Sequence, residues 1–380
     1  MKKLFYLLLI LTLLFTNRIN AEEELAKNAK SAYLIEMSTG MVLFEKNSEE
    51  KLYPASMTKM MSLILVMEAL NNNQLKKDEI LTISEKAASM GGSQVYLQVN
   101  EQMSVEDLLK AVCISSANDA MVALAERISG SVSEFVVLMN QKSKELNLVN
   151  TNFVNTTGLH DDAHYSCAKD MARIAQKLIE VGKEELLEIT STYDAYIREE
   201  SESPFWLVNT NKLVKHAEGV DGLKTGFTQE ALSCITVTAK KDQVRMIAVV
   251  MKEPDSKTRN AEVMEMIHSG FSKVKYHPLY AKNEIYEPIR FENGMPHDSN
   301  LVFLEDVGIV LNAKDTVQIK EIIYSQTKND LPIQVGEKIG ELKIVYNDDK
   351  ERTVDMGLNT AVMKMGFLDT FVMIFWQILT

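Results

Sequence analysis

Cysteine is scarce in this chain: Cys113, Cys167 and Cys234 are the only ones in 380 residues. The count is odd and no pair has C-x-x-C spacing, which excludes a disulfide framework and leaves the three as small buried residues. Positive charge is also in deficit. Lys and Arg total 41 against 53 Asp and Glu, a net charge of −12, which excludes a polyanion such as nucleic acid as partner. Internal repeats and low-complexity stretches are missing. An apolar run long enough to span a bilayer, about 20 residues, is missing from the N-terminus as well: Leu4 to Phe15 is only twelve residues long.

That short run is instead the core of a secretory signal. Lys2 and Lys3 precede it, Ala21 offers a cleavage point, and the acidic run Glu22 to Glu24 follows. Residues 1–21 are therefore expected to be a signal peptide on an exported protein. No cysteine stands at the junction to carry a lipid. The alternative is an uncleaved N-terminal anchor.

The remaining chain has the composition of a globular protein, 46% hydrophobic and 25% charged. Ser31 to Met37 and Met41 to Glu45 are strand candidates joined by Ser38-Thr39-Gly40. Helical patterns dominate from Pro54 to Glu188. Strands return at Ser233 to Ala239 and Val244 to Met251, followed by a helix at Ala261 to Phe271. The order predicts an α+β domain over 22–276: one antiparallel sheet drawn from both chain ends, with a helical insertion. His277-Pro278 breaks the last helix. Short alternating runs after it, including Asn300 to Leu304, Val307 to Leu311, Thr316 to Tyr324 and Lys338 to Tyr346, predict a small all-β sandwich domain over 277–358.

The end of the chain has a different texture. Met365, Leu368, Val372, Phe375 and Leu379 recur at helical spacing, with Trp376 beside the stripe. Lys364, Asp369 and Gln377 interrupt the apolar run. Residues 359–380 are therefore expected to form an amphipathic helix lying in a membrane interface rather than crossing it. The alternative is a helix docked on the protein itself.

Ser56-Met57-Thr58-Lys59 has the form S-x-x-K. The spacing alone is weak, because Ser48/Lys51, Ser166/Lys169, Ser272/Lys275 and Ser325/Lys328 share it. Context separates Ser56. Pro54 marks a helix start, and from Met60 to Leu70 only Ser62 and Glu68 are polar, the pattern of a helix buried nearly all round. Residues i and i+3 share a helix face, so Lys59 reaches the Ser56 hydroxyl. The Ser56 N–H, unpaired at a helix start, is free to stabilise an oxyanion. A lysine base must be neutral, and its ordinary pKa is about 10.4. Desolvation and a neighbouring cation have to bring it down.

Two further elements could complete such a site. Lys224-Thr225-Gly226 precedes the strand at Ser233. Lys224 would supply the cation, Gly226 lets a substrate backbone approach, and the Phe227 N–H would be a second oxyanion donor. Ser116-Ala117-Asn118 lies between two helical patterns, the first capped by Ser104. Either element alone reads better as structure: Lys224 as a solvated lysine before a turn glycine, and Ser116 or Asn118 as a helix cap.

S-x-x-K, S-x-N and K-T-G in this order resemble the penicillin-recognising serine enzymes. The stretches Pro54 to Lys59, Ser115 to Ala120, Gly222 to Thr228, Thr157-Gly158-Leu159 and Ser256 to Arg259 resemble the low-molecular-mass D-alanyl-D-alanine carboxypeptidases more closely. The resemblance covers residues 27 to 275, and the β domain and terminal helix fit the same layout. Leu232-Ser233 and Lys252-Glu253 depart from the family's pattern at the rim. The resemblance implies an acyl-enzyme on Ser56, with Lys59 as base and Ser116 as proton carrier. Asn118 would bind the substrate amide, and Thr225 with Arg259 the terminal carboxylate. It implies no cofactor. The partners would be a cell-wall peptide substrate and β-lactam inhibitors, at the outer face of the cytoplasmic membrane.

Three rivals are weaker. A class A β-lactamase shares the motifs but needs a glutamate loop, and no E-x-x-x-N occurs between Asp161 and Lys215. His160-Asp161-Asp162-Ala163-His164 has zinc-like i, i+4 spacing but lacks the glutamate and a third ligand. A non-catalytic penicillin-binding cell-wall protein would have little reason to keep Ser56, Lys59, Ser116 and Lys224.

Overall fold

The computed structural model describes residues 25–366. The signal segment 1–21 and the amphipathic stretch beyond residue 366 lie outside the described residues. The chain divides into two compact units between Phe271 and Ser272.

The first unit is built on one antiparallel sheet. Its strands are β1 (Ser31–Glu36), β2 (Val42–Lys46), β3 (Val220–Thr228), β4 (Leu232–Lys241) and β5 (Val244–Glu253). Their order is β2-β1-β5-β4-β3, so strands from both chain ends share the sheet and the helical middle is an insertion, as the sequence predicts. The longer helices are α1 (Lys59–Asn71), α2 (Val105–Ser115), α3 (Asn118–Ser129), α4 (Val132–Glu145), α5 (Ala168–Ser191) and α6 (Ser256–Lys273). Ser104 caps α2 by accepting from the Asp107 N–H at 3.1 Å.

The helix α1 runs through the core. Met60, Met61, Ile64 and Val66 are fully buried, and Leu63 and Met67 nearly so. Burial on every side fixes the helix axially and rotationally, because any shift would open voids in a close-packed interior. Whatever stands at its N-terminal end is therefore held rigidly.

The second unit is all-β. Ile285–Arg290, Asp298–Phe303, Lys350–Leu358, Gly340–Tyr346 and Ile319–Gln326 form a five-stranded sheet in that order. Phe303, Leu342, Ile344, Val354 and Met356 fill its core. Two sequence expectations need correction. The helix ends at Lys273, before His277-Pro278, and Val274–Tyr280 is a strand paired with Val307–Asn312. That pairing gives residues 272–276 to the second unit. Nor does a helix start at residue 359. Val362 is fully buried and bridges Ile333, and Met363–Lys364 pairs with Gly294–Met295. Core packing of Val362 holds this stretch extended up to Lys364.

A buried acid pair ties the first unit's N-terminal segment to its body. Glu262 on α6 accepts from the Asn28 and Ala29 N–H groups, and these donors outweigh burial to keep it ionised. Glu253, at the end of β5, is fully buried, and neither of its oxygens finds a donor. Burial, then the neighbouring Glu262, pushes its pKa up to about 8, so it is protonated at neutral pH and donates to Glu262. A carboxyl raised in the folded state binds its proton more tightly there than in the unfolded chain. Its contribution to stability is complete at acid pH and fades as pH rises towards 8. Glu253→Gln is expected to raise the melting temperature at pH 8 by at least about 2 °C and to change it little at pH 5, as measured by thermal denaturation.

Candidate active site

Ser56 does not lie in the first turn of the α-helix, as its sequence context suggested. Ala55–Thr58 is a tight 3-10 turn and α1 begins at Lys59. The difference matters, because residues i and i+3 eclipse in a 3-10 turn. Lys59 is thereby stacked over Ser56, with Nζ 3.0 Å from Oγ.

Two glycines clamp this turn. Gly158 has φ of +84°, and a Cβ there would lie 1.8 Å from the Ala55 carbonyl oxygen. A Cβ on Gly226 of β3 would lie 2.7 Å from the Pro54 carbonyl oxygen. The Ala55–Thr58 turn is thus wedged between the Thr157-Gly158 loop and the edge strand at distances that only glycine allows.

Lys59 is fully buried. Its Nζ donates to the Thr157 carbonyl at 3.0 Å and stands 3.5 Å from Ser116 Oγ. Burial, then the charge of Lys224, holds its pKa well below the ordinary lysine value, and Asp119 opposes them in part. A neutral amine has two hydrogens and one lone pair. With one hydrogen committed to Thr157, the lone pair is available to the Ser56 hydroxyl.

Lys224 is almost fully buried and donates to the Thr225 carbonyl at 3.1 Å. Burial, reinforced by Arg259, brings its pKa down to about 7. The motif that carries it does more than precede the strand at Ser233. It lies in the middle of β3, where Lys224 pairs with Thr236 and Gly226 with Cys234.

Ser116 and Asn118 reach the same centre from the α2–α3 junction. Ser116 adopts a left-handed conformation, φ 63° and ψ 31°, which ends α2 and turns its hydroxyl towards Lys59. Asn118 starts α3. Its N–H donates to the Ser93 carbonyl and its Nδ2 to the Gly91 carbonyl, each at 2.7 Å. Its Oδ1 is buried with no donor among the described residues, a fit for a substrate N–H. Asp119 accepts from the Val95 and Leu97 N–H groups and fixes the loop that Asn118 holds.

Thr225 and Arg259 stand on adjacent elements. Thr225 Oγ1 donates to Thr210 Oγ1 at 2.8 Å. Arg259 is 6% exposed, donates to the Cys234 carbonyl and to Asn260 Oδ1, and forms no ion pair among the described residues. A buried guanidinium without a carboxylate suits a substrate carboxylate. The Phe227 side chain is 65% exposed, so any part this residue plays in the cleft falls to its backbone.

Sequence reasoning missed the Thr157 carbonyl and the Thr210 hydroxyl, because a backbone acceptor and a lone threonine leave no spacing signal. The zinc-like histidines are also explained. His164 accepts from the Val154 N–H at Nδ1, so its Nε2–H donates to Thr58 Oγ1 at 2.7 Å, and burial lowers its pKa to about 4. His160 packs edge-on against Tyr53, 4.7 Å between centroids. Both nitrogens of His164 are committed to the turn that carries Ser56 and to its neighbouring loop.

A serine stacked under a desolvated lysine, with a second serine and a second buried lysine beside them, defines a serine acyl-transfer enzyme of the penicillin-binding class. A family profile described as D-alanyl-D-alanine carboxypeptidase matches residues 18–255, and one described as the C-terminal domain of penicillin-binding protein 5 matches residues 275–364. The chain belongs to the D-alanyl-D-alanine carboxypeptidase family, and carboxypeptidase action on a D-alanyl-D-alanine end is its reaction. D-alanyl-D-alanine carboxypeptidase DacF of Bacillus subtilis is 44% identical over 346 residues, 91% of this chain and 88% of that protein. The structure of penicillin binding protein 5 from Haemophilus influenzae has a TM-score of 0.65 at 31% identity, covering 89% of this chain and 98% of that one. Penicillin-Binding Protein D2 from Listeria monocytogenes, solved in the ampicillin-bound form, scores 0.57 at 32% identity, covering 64% and 97%.

The glycine clamp can be checked directly. Gly158→Ala is expected to displace the nucleophile turn and slow acylation by a fluorescent penicillin by about 100-fold. Gly40→Ala shares the positive φ, at +68°, but meets nothing within 4 Å, and is expected to leave acylation unchanged.

Proposed function

We propose that Ser56 is the nucleophile that removes the terminal D-alanine from cell-wall pentapeptides. The observation that carries this reading is the desolvated Lys59 amine, 3.0 Å from Ser56 Oγ and 3.5 Å from Ser116 Oγ. Lys59 accepts the Ser56 proton as the hydroxyl attacks the carbonyl of the penultimate D-alanine. The N–H groups of Ser56 and Phe227 hold the oxyanion, and each such donor is worth about 100–1,000-fold in rate. Ser116, within reach of Lys59, delivers the proton to the departing amine. Asn118 Oδ1 accepts the substrate amide, and Thr225 with Arg259 receives the terminal carboxylate. Water then releases the shortened peptide from Ser56.

Lys224 acts through charge. Its cation disfavours protonation of Lys59 and so extends the pH range in which the base is ready. A β-lactam, whose carboxylate and strained amide mimic the D-alanyl-D-alanine end, enters by the same route and stays attached.

The surrounding organisation follows from the same reading. Residues 1–21 direct export, the unit that ends at Phe271 holds the carboxypeptidase site, and the all-β unit begins at Ser272. The amphipathic stretch towards residue 380 rests on the outer face of the cytoplasmic membrane. The spacing of Leu368, Val372, Phe375 and Leu379 supports that anchor.

Incubating the protein with a D-alanyl-D-alanine peptide is expected to release free D-alanine, and penicillin is expected to block it. Ser56→Ala should lose both the release and the covalent penicillin label; a variant that still releases D-alanine refutes the mechanism. Lys224→Met removes one of the two influences that lower the Lys59 pKa. The acid limb of the acylation rate is therefore expected to move to higher pH. A chain ending at residue 366 is expected to lose binding to anionic vesicles in a sedimentation assay while retaining D-alanine release.

A further inference from the structure

Arg259 is buried near a carboxyl group that does not pair with it. Its guanidinium donates to the Cys234 carbonyl at 3.4 Å and to Asn260 Oδ1 at 2.9 and 3.1 Å. Cys234 follows Ser233 on β4, and Ser233 faces Glu253 at the end of β5. The helix α6 begins just after Glu253, and Arg259 and Glu262 lie on one face of it, three residues apart. Glu253 stands within charge range of both. Yet neither of its buried oxygens meets a donor, the Arg259 guanidinium included.

The other charged and titratable groups around Glu253 have partners of their own. Glu262 accepts from the Asn28 and Ala29 N–H groups and from Asn28 Nδ2. Asp255 accepts from the Lys257 and Thr258 N–H groups and from the Thr258 hydroxyl at the start of α6. Lys46 on β2 donates to the Ala26 and Lys27 carbonyls at 2.8 and 2.9 Å. The Cys234 thiol is kept neutral by burial, its pKa pushed up to about 11, and it accepts from the Lys252 N–H. The balance of charge at Arg259 therefore turns on the proton of Glu253. Lys252-Glu253 is also a place where the sequence departs from the family's pattern.

With that proton in place, Glu262 carries the negative charge of the acid pair and is held by backbone N–H groups, so the Arg259 charge stays uncommitted. Without it, a buried anion that has no donor of its own is drawn to the nearest cation. On the site reading above, we propose that Glu253 is a positioning residue for substrate: protonated, it leaves Arg259 to the terminal carboxylate, and ionised, it competes with that carboxylate for Arg259. Burial and Glu262 hold the proton on Glu253 up to about pH 8. The coupling is reciprocal. A carboxylate bound at Arg259 repels a second anion there, so substrate binding and the Glu253 proton favour each other.

The test is the pH dependence of KM and kcat for D-alanine release by the full-length protein from a D-alanyl-D-alanine peptide, from about pH 6 to about pH 9.5. The native KM is expected to rise about 10-fold across pH 8, the weight of one charge-assisted hydrogen bond. Glu253→Gln keeps a donor towards Glu262 and cannot ionise, so its KM should stay level where the native one rises, and the two proteins should differ in KM rather than in kcat. Lys224, whose pKa is about 7, titrates in both proteins and cancels in the comparison. Glu262→Gln removes the like charge that helps to hold the proton, so its KM rise should begin at a lower pH than the native one. A merely loosened fold would instead raise KM at every pH. A native KM that stays level, a rise that persists in Glu253→Gln, or a Glu262→Gln profile that coincides with the native one overturns the proposal. Absence of D-alanine release at every pH overturns the catalytic reading, and is distinguished from a level KM by that silence.

Discussion

The site depends on one desolvated amine. Lys59 has no exposed surface, and water cannot solvate its charge. Its proton affinity falls because burial penalises the cation and because Lys224 repels it. A lysine whose pKa is held well below its ordinary value, stacked on Ser56 by a 3-10 turn, suits the part of base proposed for it; the same lysine on the surface would be an ammonium ion. Rigidity is part of this constraint. The amine must neither reach water nor lose its line to the hydroxyl, and the helix behind it is buried on every side, which denies it both.

The rest of the first unit serves that amine. The Thr157 carbonyl fixes one of its hydrogens, and the neighbouring Gly158 packs its backbone against Ala55. His164, held neutral by burial, joins Thr58 to the same loop. The edge strand β3 brings Lys224 and Gly226 to the opposite side, and the α2–α3 junction brings Ser116 through a left-handed residue. Segments more than 150 residues apart in sequence meet around one turn. The antiparallel sheet makes this possible, because it returns the C-terminal strands of the unit beside the N-terminal ones.

Much of this was legible in the residues. Alternation marked the strands, the all-round apolar run after Ser56 marked α1, and the three motifs in order marked the class. What escaped was of two kinds. Local geometry was misjudged where packing overrides propensity. Ala55–Thr58 is 3-10 because Gly158 and Gly226 press on it, and Met363–Lys364 is extended because Val362 fills the β core. Backbone contributors also escaped, since the Thr157 carbonyl and the amides that bind Asp119 have no residue identity to read.

The sequence by itself determined which groups are available: a serine and a lysine three residues apart, a second serine, a second lysine, and a helix too apolar to lie anywhere but in the core. These are properties of side-chain chemistry and of short-range spacing, and both are written along the chain. The tertiary structure alone decided the lowered pKa of Lys59, the burial of an Asn118 oxygen without a donor and of an Arg259 without an ion pair among the described residues, and the closeness of Lys224. Those depend on desolvation and on distances between segments remote in sequence, and neither exists until the chain has closed on itself.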